Sequence, residues 1–267
     1  MICVKGVIQV PMQTSGIEIA PETVGHILGE ENLRVPLSQR SYRWQTEHVE
    51  DLYKDINGVI VDQTVDEYFI GSIVGIKSHG TTFIYDGQQR LATTMVLIAA
   101  IRDHFYSSGD EETARLIEDE SLISKDRKTH EIRAHFVLNA EDHQFFHDRI
   151  LLRPGATKRG AAKPQRESHK RIEKAAKIAK DFIGTTIVSN LPAGQSSKNL
   201  HRWLDFIKEG SCLSIGYPCR PMNEPAYDEK PRWDEGNSNS TKNRRVPTPG
   251  TLRYPLRMTN VNLFTRS

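Results

Sequence analysis

The sequence predicts an α+β fold, a small sheet with helices packed on it, and three observations carry that reading. Tyr68–Ile76 and Thr81–Tyr85 are β-branched and aromatic runs joined by His79-Gly80, which reads as a hairpin. Directly behind them, Leu91–Ile101 is apolar on nearly every side, which reads as a buried helix. Elsewhere apolar residues recur at helical spacing: Val49, Leu52, Tyr53, Ile56 and Ile60 form one stripe, and Ile172, Ala175, Ala176, Ala179, Phe182 and Ile183 form another.

Taken in order, Val7–Val10 reads as a short strand and Glu18–Leu28 as a first helix with Pro21 near its start. Pro36 makes Leu33–Leu37 an edge strand or an extended loop. Thr46 is expected to cap the helix that follows, with Glu47, Glu50 and Asp51 in its first turns. The buried helix runs over 88–106, and the acids Asp110, Glu111 and Glu112 break the pattern after it. A strand over Ile132–Leu138 is followed by a helix over Glu141–Leu152 facing inward through Phe145, Phe146 and Ile150. Residues 153–165 read as a mobile basic loop, and helices follow over 166–183 and Lys198–Lys208, the second inward through Leu200, Trp203, Leu204 and Ile207. Ser211–Ile215 is one more strand. Beyond it, residues 217–267 hold 7 of the 13 prolines and no apolar periodicity, so this tail is expected to be disordered. The expected division is a domain over 1–110, its helical extension over 111–215, and an irregular tail over 216–267.

The chain has 267 residues and a net charge of +2, but the charge is uneven. Residues 1–152 carry 24 acidic and 14 basic side chains, whereas 153–180 carry 10 basic and 2 acidic. No apolar run reaches the roughly 18 residues of a membrane span. Three cysteines, Cys3, Cys212 and Cys219, fit a reducing cytoplasm better than a disulfide framework, and Cys212 and Cys219 are too isolated from other ligand types to argue for zinc.

The chemistry concentrates at Tyr85-Asp86-Gly87-Gln88-Gln89-Arg90. A strand turns here into a helix whose first amides have no internal partner and attract an anion. Arg90 adds a forked cation, Gly87 allows close backbone approach, Asp86 can hold a metal ion or a water, and the two glutamines offer donors and acceptors. The same residues also suit a plain Asp-Gly turn with Arg90 paired to an acid. Upstream, Gln39, Arg40, Tyr42, Arg43 and Trp44 interleave cations with aromatics, which suits a phosphate and a stacked base, or a surface loop anchored by its rings. Lys170, Arg171, Lys174 and Lys177 form either a solvated face or a contact for a nucleic-acid backbone. His143 and His147 share a helix face, but nothing else supports a metal, and none is expected.

In this order, Val35–Trp44, Tyr68–Val74 and Asp86–Thr94 resemble the N-terminal domain of GmrSD-type restriction endonucleases, the DGQQR family. The resemblance covers about residues 20–215 and implies a ParB/sulfiredoxin-like fold. It implies that Asp86, Gly87, Gln88, Gln89 and Arg90 form a nucleotide site, with Gln39, Arg40, Tyr42 and Trp44 beside it. The function it implies is a nucleotide-binding, NTP-hydrolysing sensor of a modification-dependent restriction system acting on phage DNA, with Mg²⁺ as companion ion and a nuclease subunit as a further partner. Asp86, Gln88, Gln89 and Arg90 would be its catalytic set. No His-Asn-His cluster is visible, so the nuclease half is expected to be absent. Nothing after Ile215 matches the family, so the tail is expected to be truncated or out of frame. A ParB-like DNA-binding module without turnover and an inactive remnant are the alternatives.

Overall fold

The computed structural model describes residues 17–30, 32–62, 67–125, 132–189 and 191–218. The expected strand Val7–Val10, the tail from 219 onward, Cys3 and Cys219 lie outside these residues.

The chain opens with strand β1 (Ile17–Thr23) and helix α1 (Val24–Glu30). Strand β2 (Leu33–Arg34) leads into the loop 35–45 and then helix α2 (Thr46–Asp62). The hairpin of β3 (Tyr68–Ser78) and β4 (Thr81–Asp86) follows, then the long helix α3 (Gln88–Ser107). Helix α4 (Glu111–Ile117) and the small two-stranded sheet of β5 (Ile123–Lys125) and β6 (Ile132–Ala134) come next. Strand β7 (Phe136–Val137), helices α5 (His143–Phe146), α6 (Thr157–Ala161), α7 (Glu167–Phe182) and α8 (Ala193–Asp205), and strand β8 (Ser211–Pro218) complete the order. Helices α4, α5, α7 and α8 each run on into a wide π turn.

Six strands make one mixed sheet in the order β1-β8-β3-β4-β2-β7. The last described strand therefore sits between the first and the third, antiparallel to β1 and parallel to β3. This is the mixed α+β architecture that the patterning predicts. Helix α3 is its centre: Met95, Leu97, Ile98 and Ile101 have no exposed surface. A helix that is apolar all round is stable only when covered on all sides. The stripes of α2 and α8 are buried as predicted, and in α7 the residues Ile172, Ala175 and Ala179 form the buried face.

Several elements differ from expectation. Glu18–Leu28 is a strand and then a helix, so Pro21 lies within β1 rather than at a helix start. β1 is the outermost strand of the sheet, where a residue lacking an N–H is tolerated. Strand β2 is not an edge strand: it lies between β4 and β7, and the chain leaves it as an extended loop before Pro36. Thr46 is the first residue of α2, and its hydroxyl is buried without a hydrogen-bond partner among the described residues, so it caps nothing. Residues 111–117, read as a break, form α4, with the Asp110 carboxylate accepting from the Thr113 amide at 3.1 Å. The expected strand over 132–138 is two short strands in two different sheets. The basic loop contains α6, held by Arg159, which donates to the Leu152 carbonyl and pairs with Asp103. Strand β8 continues to Pro218, three residues past the expected boundary, because Gly216, Tyr217 and Pro218 pair with Ile19, Glu18 and Ile17.

No helix among the described residues is long and apolar enough to cross a membrane.

Candidate functional site

Strands β2, β4 and β7 run parallel, so the loops leaving their carboxyl ends emerge together. These are the loop 35–45, the turn at Gly87 and the segment 138–142. Loops at the carboxyl ends of neighbouring parallel strands are where α/β sheets hold ligands. The amino-terminal half of β3 extends past the end of β4, because Val74 already pairs with Asp86. Two irregularities flank the corner. Ile70 is skipped in the pairing of β3 with β8, and Tyr85 in the pairing of β4 with β3. Bulges of this kind re-aim side chains locally.

Two glycines shape the corner. Gly87 has φ +88°, and a Cβ there would stand 2.7 Å from Ile73 Cγ1 and 3.1 Å from the Ser72 carbonyl oxygen. Gly71 has φ +136°, and a Cβ would stand 3.0 Å from Arg90 Nε. The first glycine seats the start of α3 against β3, and the second leaves room for the Arg90 guanidinium. Arg90 is half-buried and makes no hydrogen bond or ion pair among the described residues. The cavity beside it, lined by Val24, Ile70, Ile73 and Leu213 among others, is only about 10 Å³, room for a single water. Any larger ligand must approach from the open side, where Asp86 is exposed. Gln88 is 3% exposed; its Oε1 is buried with no partner among the described residues, and its Nε2 lies 3.5 Å from Gln39 Oε1.

Gln89 and Tyr42 have a different task. Gln89 Oε1 accepts from the amides of Arg43 at 2.7 Å and Trp44 at 3.3 Å. Tyr42 is 2% exposed, and its phenol lies 2.7 Å from Thr93 Oγ1. Thr93 gives its own hydrogen to the Gln89 carbonyl at 2.8 Å, so Tyr42 is the donor. Burial pushes the Tyr42 phenol well above its ordinary range. Tyr42 therefore lies beneath the loop and supports it. Gln89→Ala is expected to leave two amides without acceptors and to cost about 2 kcal/mol. Amide hydrogen exchange at Arg43 and Trp44 should accelerate, and unchanged protection there would exclude the role.

The third loop pins the second from the other side. Asn139 Nδ2 donates to the Gln39 carbonyl at 3.0 Å, and Ser41 Oγ donates to Glu141 at 2.8 Å. The buried carboxylate of Asp142 accepts from the Tyr42 amide at 2.6 Å and from Ser168 Oγ at 2.5 Å. Asp142 thus joins the loop 35–45 to α7. Sequence reasoning missed Asn139, Glu141 and Asp142; three polar residues just before a helix are an ordinary capping signal and did not point to a loop a hundred residues away.

Residues 24–216 match the family model of the GmrSD restriction endonuclease N-terminal domain. The chain belongs to this family. No curated protein matches the chain.

Within this GmrSD N-terminal domain, Gln39 meets Gln88 at the sheet end, beside Gly87 and Arg90, and Arg40 is exposed. Trp44 is partly buried against the core, and its ring is stacked on His48, 5.9 Å away. Lys170, Lys174 and Lys177 are exposed along α7, and Arg171 is half-buried. Lys170 pairs with Glu167 at 2.6 Å. Among the described residues no group of three or more His, Cys, Asp or Glu gathers as a metal site.

His143 and His147 are neighbours, with ring centroids 6.0 Å apart. Burial, then the charges of His147 and Arg34, hold His143 down to about 4, against a partial opposing effect of Asp148. Its unfolded value is near 6.5, so the unfolded chain takes up a proton first. Stability from this group is intact above about pH 6.5 and falls as the pH drops toward 4, by up to about 3 kcal/mol. His143→Gln should flatten the urea-midpoint difference between pH 7.5 and pH 5; an unaltered difference would rule His143 out as its source.

Proposed function

We propose that this domain binds a nucleoside triphosphate at Gly87–Arg90 and acts as the sensor part of a modification-dependent restriction system directed at phage DNA. The observation that carries the proposal is Arg90: a half-buried guanidinium, in the first turn of a helix, with no protein counter-ion among the described residues. Taking a cation partly out of water is costly unless something anionic pairs with it. Phosphate oxygens fit both its fork and the helix amides beside it. Gln88, with its buried Oε1 unpartnered, supports the same reading, since an added donor would satisfy it.

Asp86 would hold Mg²⁺, which would supply neutralisation of charge on the phosphates. Arg90 binds the phosphates and offsets the negative charge that grows during transfer. Asp86, exposed at the end of β4, orients a water or the ion. Gln89 acts as a positioning residue by holding the backbone that carries Trp44.

Titration calorimetry with ATP and GTP, and phosphate release with and without DNA, test this. Arg90→Ala should weaken triphosphate binding at least about tenfold, the scale of one charge-assisted contact. Binding and turnover untouched by both Arg90→Ala and Asp86→Ala would end the proposal. A second reading, a ParB-like DNA-binding module that binds without turnover, draws support from the solitary position of Asp86, which no group of acids joins among the described residues. It predicts a strongly salt-dependent DNA affinity and no phosphate release.

A further inference from the structure

Trp44 and the basic face of α7, far apart in sequence, line one cleft. Its volume is about 280 Å³, and it lies between the start of α2 and the first half of α7. Trp44 stands at one wall, and Arg171 and Lys174 at the other. Neither Arg171 nor Lys174 has an ion pair among the described residues. Glu47 and Glu167 also border the cleft, but Glu167 is taken by Lys170 at 2.6 Å. Thr46 also lines the cleft, with its Oγ1 buried and without a partner among the described residues, in the first turn of a 17-residue helix. The first amides of such a helix favour an anion.

We propose that this cleft binds a single nucleic-acid strand, with phosphates on Arg171, Lys174 and the first turn of α2, and an unstacked base against Trp44. A ring beside a row of cations is the arrangement that holds single strands without reading sequence. The occupant is a strand rather than a free nucleotide because the cations run one step past the cleft. Lys174 lines it, and Lys177, three residues on along the exposed face of α7, lies outside its lining, so a polyanion gains a contact that a mononucleotide cannot. Asp142 keeps the two walls in register, since it ties the Tyr42 amide to Ser168 on α7. The inference rests on DNA being a partner of the domain and is independent of the triphosphate at Arg90.

The test uses the full chain and fluorescence anisotropy with a labelled twelve-nucleotide single strand, the matching duplex, and free ATP, across a salt series. Arg171→Gln/Lys174→Gln should weaken single-strand binding more than about tenfold and reduce the salt slope by about 1.4, two contacts at 0.7 each. Trp44→Leu, with its fold checked by circular dichroism, should weaken the single strand about tenfold and leave the duplex less affected. ATP affinity should survive the Arg171/Lys174 change and fall with Arg90→Ala. The exposed pair Lys163→Gln/Lys198→Gln, which removes the same charge elsewhere, should have little effect. Equal weakening by that control would overturn the assignment, because attraction would then be generic charge. So would a cleft variant that loses ATP rather than the strand, or a duplex that binds as tightly as the single strand and is equally sensitive to Trp44→Leu. A wild-type chain that binds no DNA at all would remove the DNA reading itself; a wild-type chain that binds and a cleft variant that binds as well would remove only this site.

Discussion

Arg102→Met is expected to destabilise the domain by about 3–5 kcal/mol, the cost of removing one partner from a buried charged cluster. Arg102 has no exposed surface, yet its charge is fully used. Its Nη1 donates to the Leu151 carbonyl at 2.5 Å, and its Nη2 to the carbonyls of Ile150 at 2.9 Å and Leu152 at 3.1 Å. These are end carbonyls of the π turn that follows α5, groups with no partner inside their own helix. Asp103 pairs with Arg102 at 2.8 Å, and Glu118 lies 3.6 Å away. Methionine fills similar volume but donates nothing, so the Ile150 and Leu151 carbonyls lose their side-chain donor, while the Leu152 carbonyl and Asp103 keep Arg159. Burial lowers the guanidinium from its usual range, opposed by Asp103, but an arginine stays charged. A domain of this size is stable by only about 5–15 kcal/mol, so the loss should be visible as a large drop in urea midpoint. Lys54→Ala, which removes an exposed pair with Glu50, should cost about 0.5 kcal/mol or less. A drop for Arg102→Met no larger than that of Lys54→Ala would mean that water replaces the guanidinium, and the account of this cluster would be wrong.

The second large effect is expected at the two glycines of the corner, and it separates stability from binding. Gly87→Ala meets both a left-handed backbone and the Ile73 side chain at 2.7 Å, with backbone of Ser72 close behind. The conformational part costs about 1–2 kcal/mol, and the displaced start of α3 adds to it, for about 3 kcal/mol in all. Gly71→Ala also carries backbone strain, at φ +136°, but what its Cβ meets is the guanidinium of Arg90, the far end of a flexible chain. It should therefore cost less stability than Gly87→Ala and yet displace the guanidinium to which we assign the phosphates. The prediction is an inverted order: the larger drop in melting temperature for Gly87→Ala, and a loss of triphosphate affinity for Gly71→Ala out of proportion to its stability. Paired thermal melts and calorimetric titrations check it. Affinity that simply tracks stability in both variants would indicate that Arg90 does not hold the ligand.

Both experiments bear on how the family's Asp-Gly-Gln-Gln-Arg stretch works. Of its four side chains, Asp86 faces solvent, Gln88 and Arg90 retain polar capacity that nothing among the described residues uses, and Gln89 is spent on the backbone of the neighbouring loop. Two adjacent glutamines in one motif thus have unlike roles, since successive residues of a helix point in directions about 100° apart. Spacing alone does not say which of the two faces the ligand and which faces the fold.

The amino-acid sequence by itself determined the local elements: the hairpin at His79-Gly80, the apolar helix α3, the inward stripes of α2 and α8, and the corner at Gly87. Each is a short-range pattern, set by alternation, helical spacing or a residue suited to positive φ, and can be read within a window of a few residues. Only the tertiary structure decided what met at a distance. It placed β8 between β1 and β3, moved Pro21 into an edge strand, set Tyr42 beneath the loop, and brought Asp142 and the α7 cations to the loop that carries Trp44. The physical reason is the same in each case: these positions follow from which apolar faces cover one another and which buried polar groups must find partners, and those conditions link residues a hundred or more positions apart.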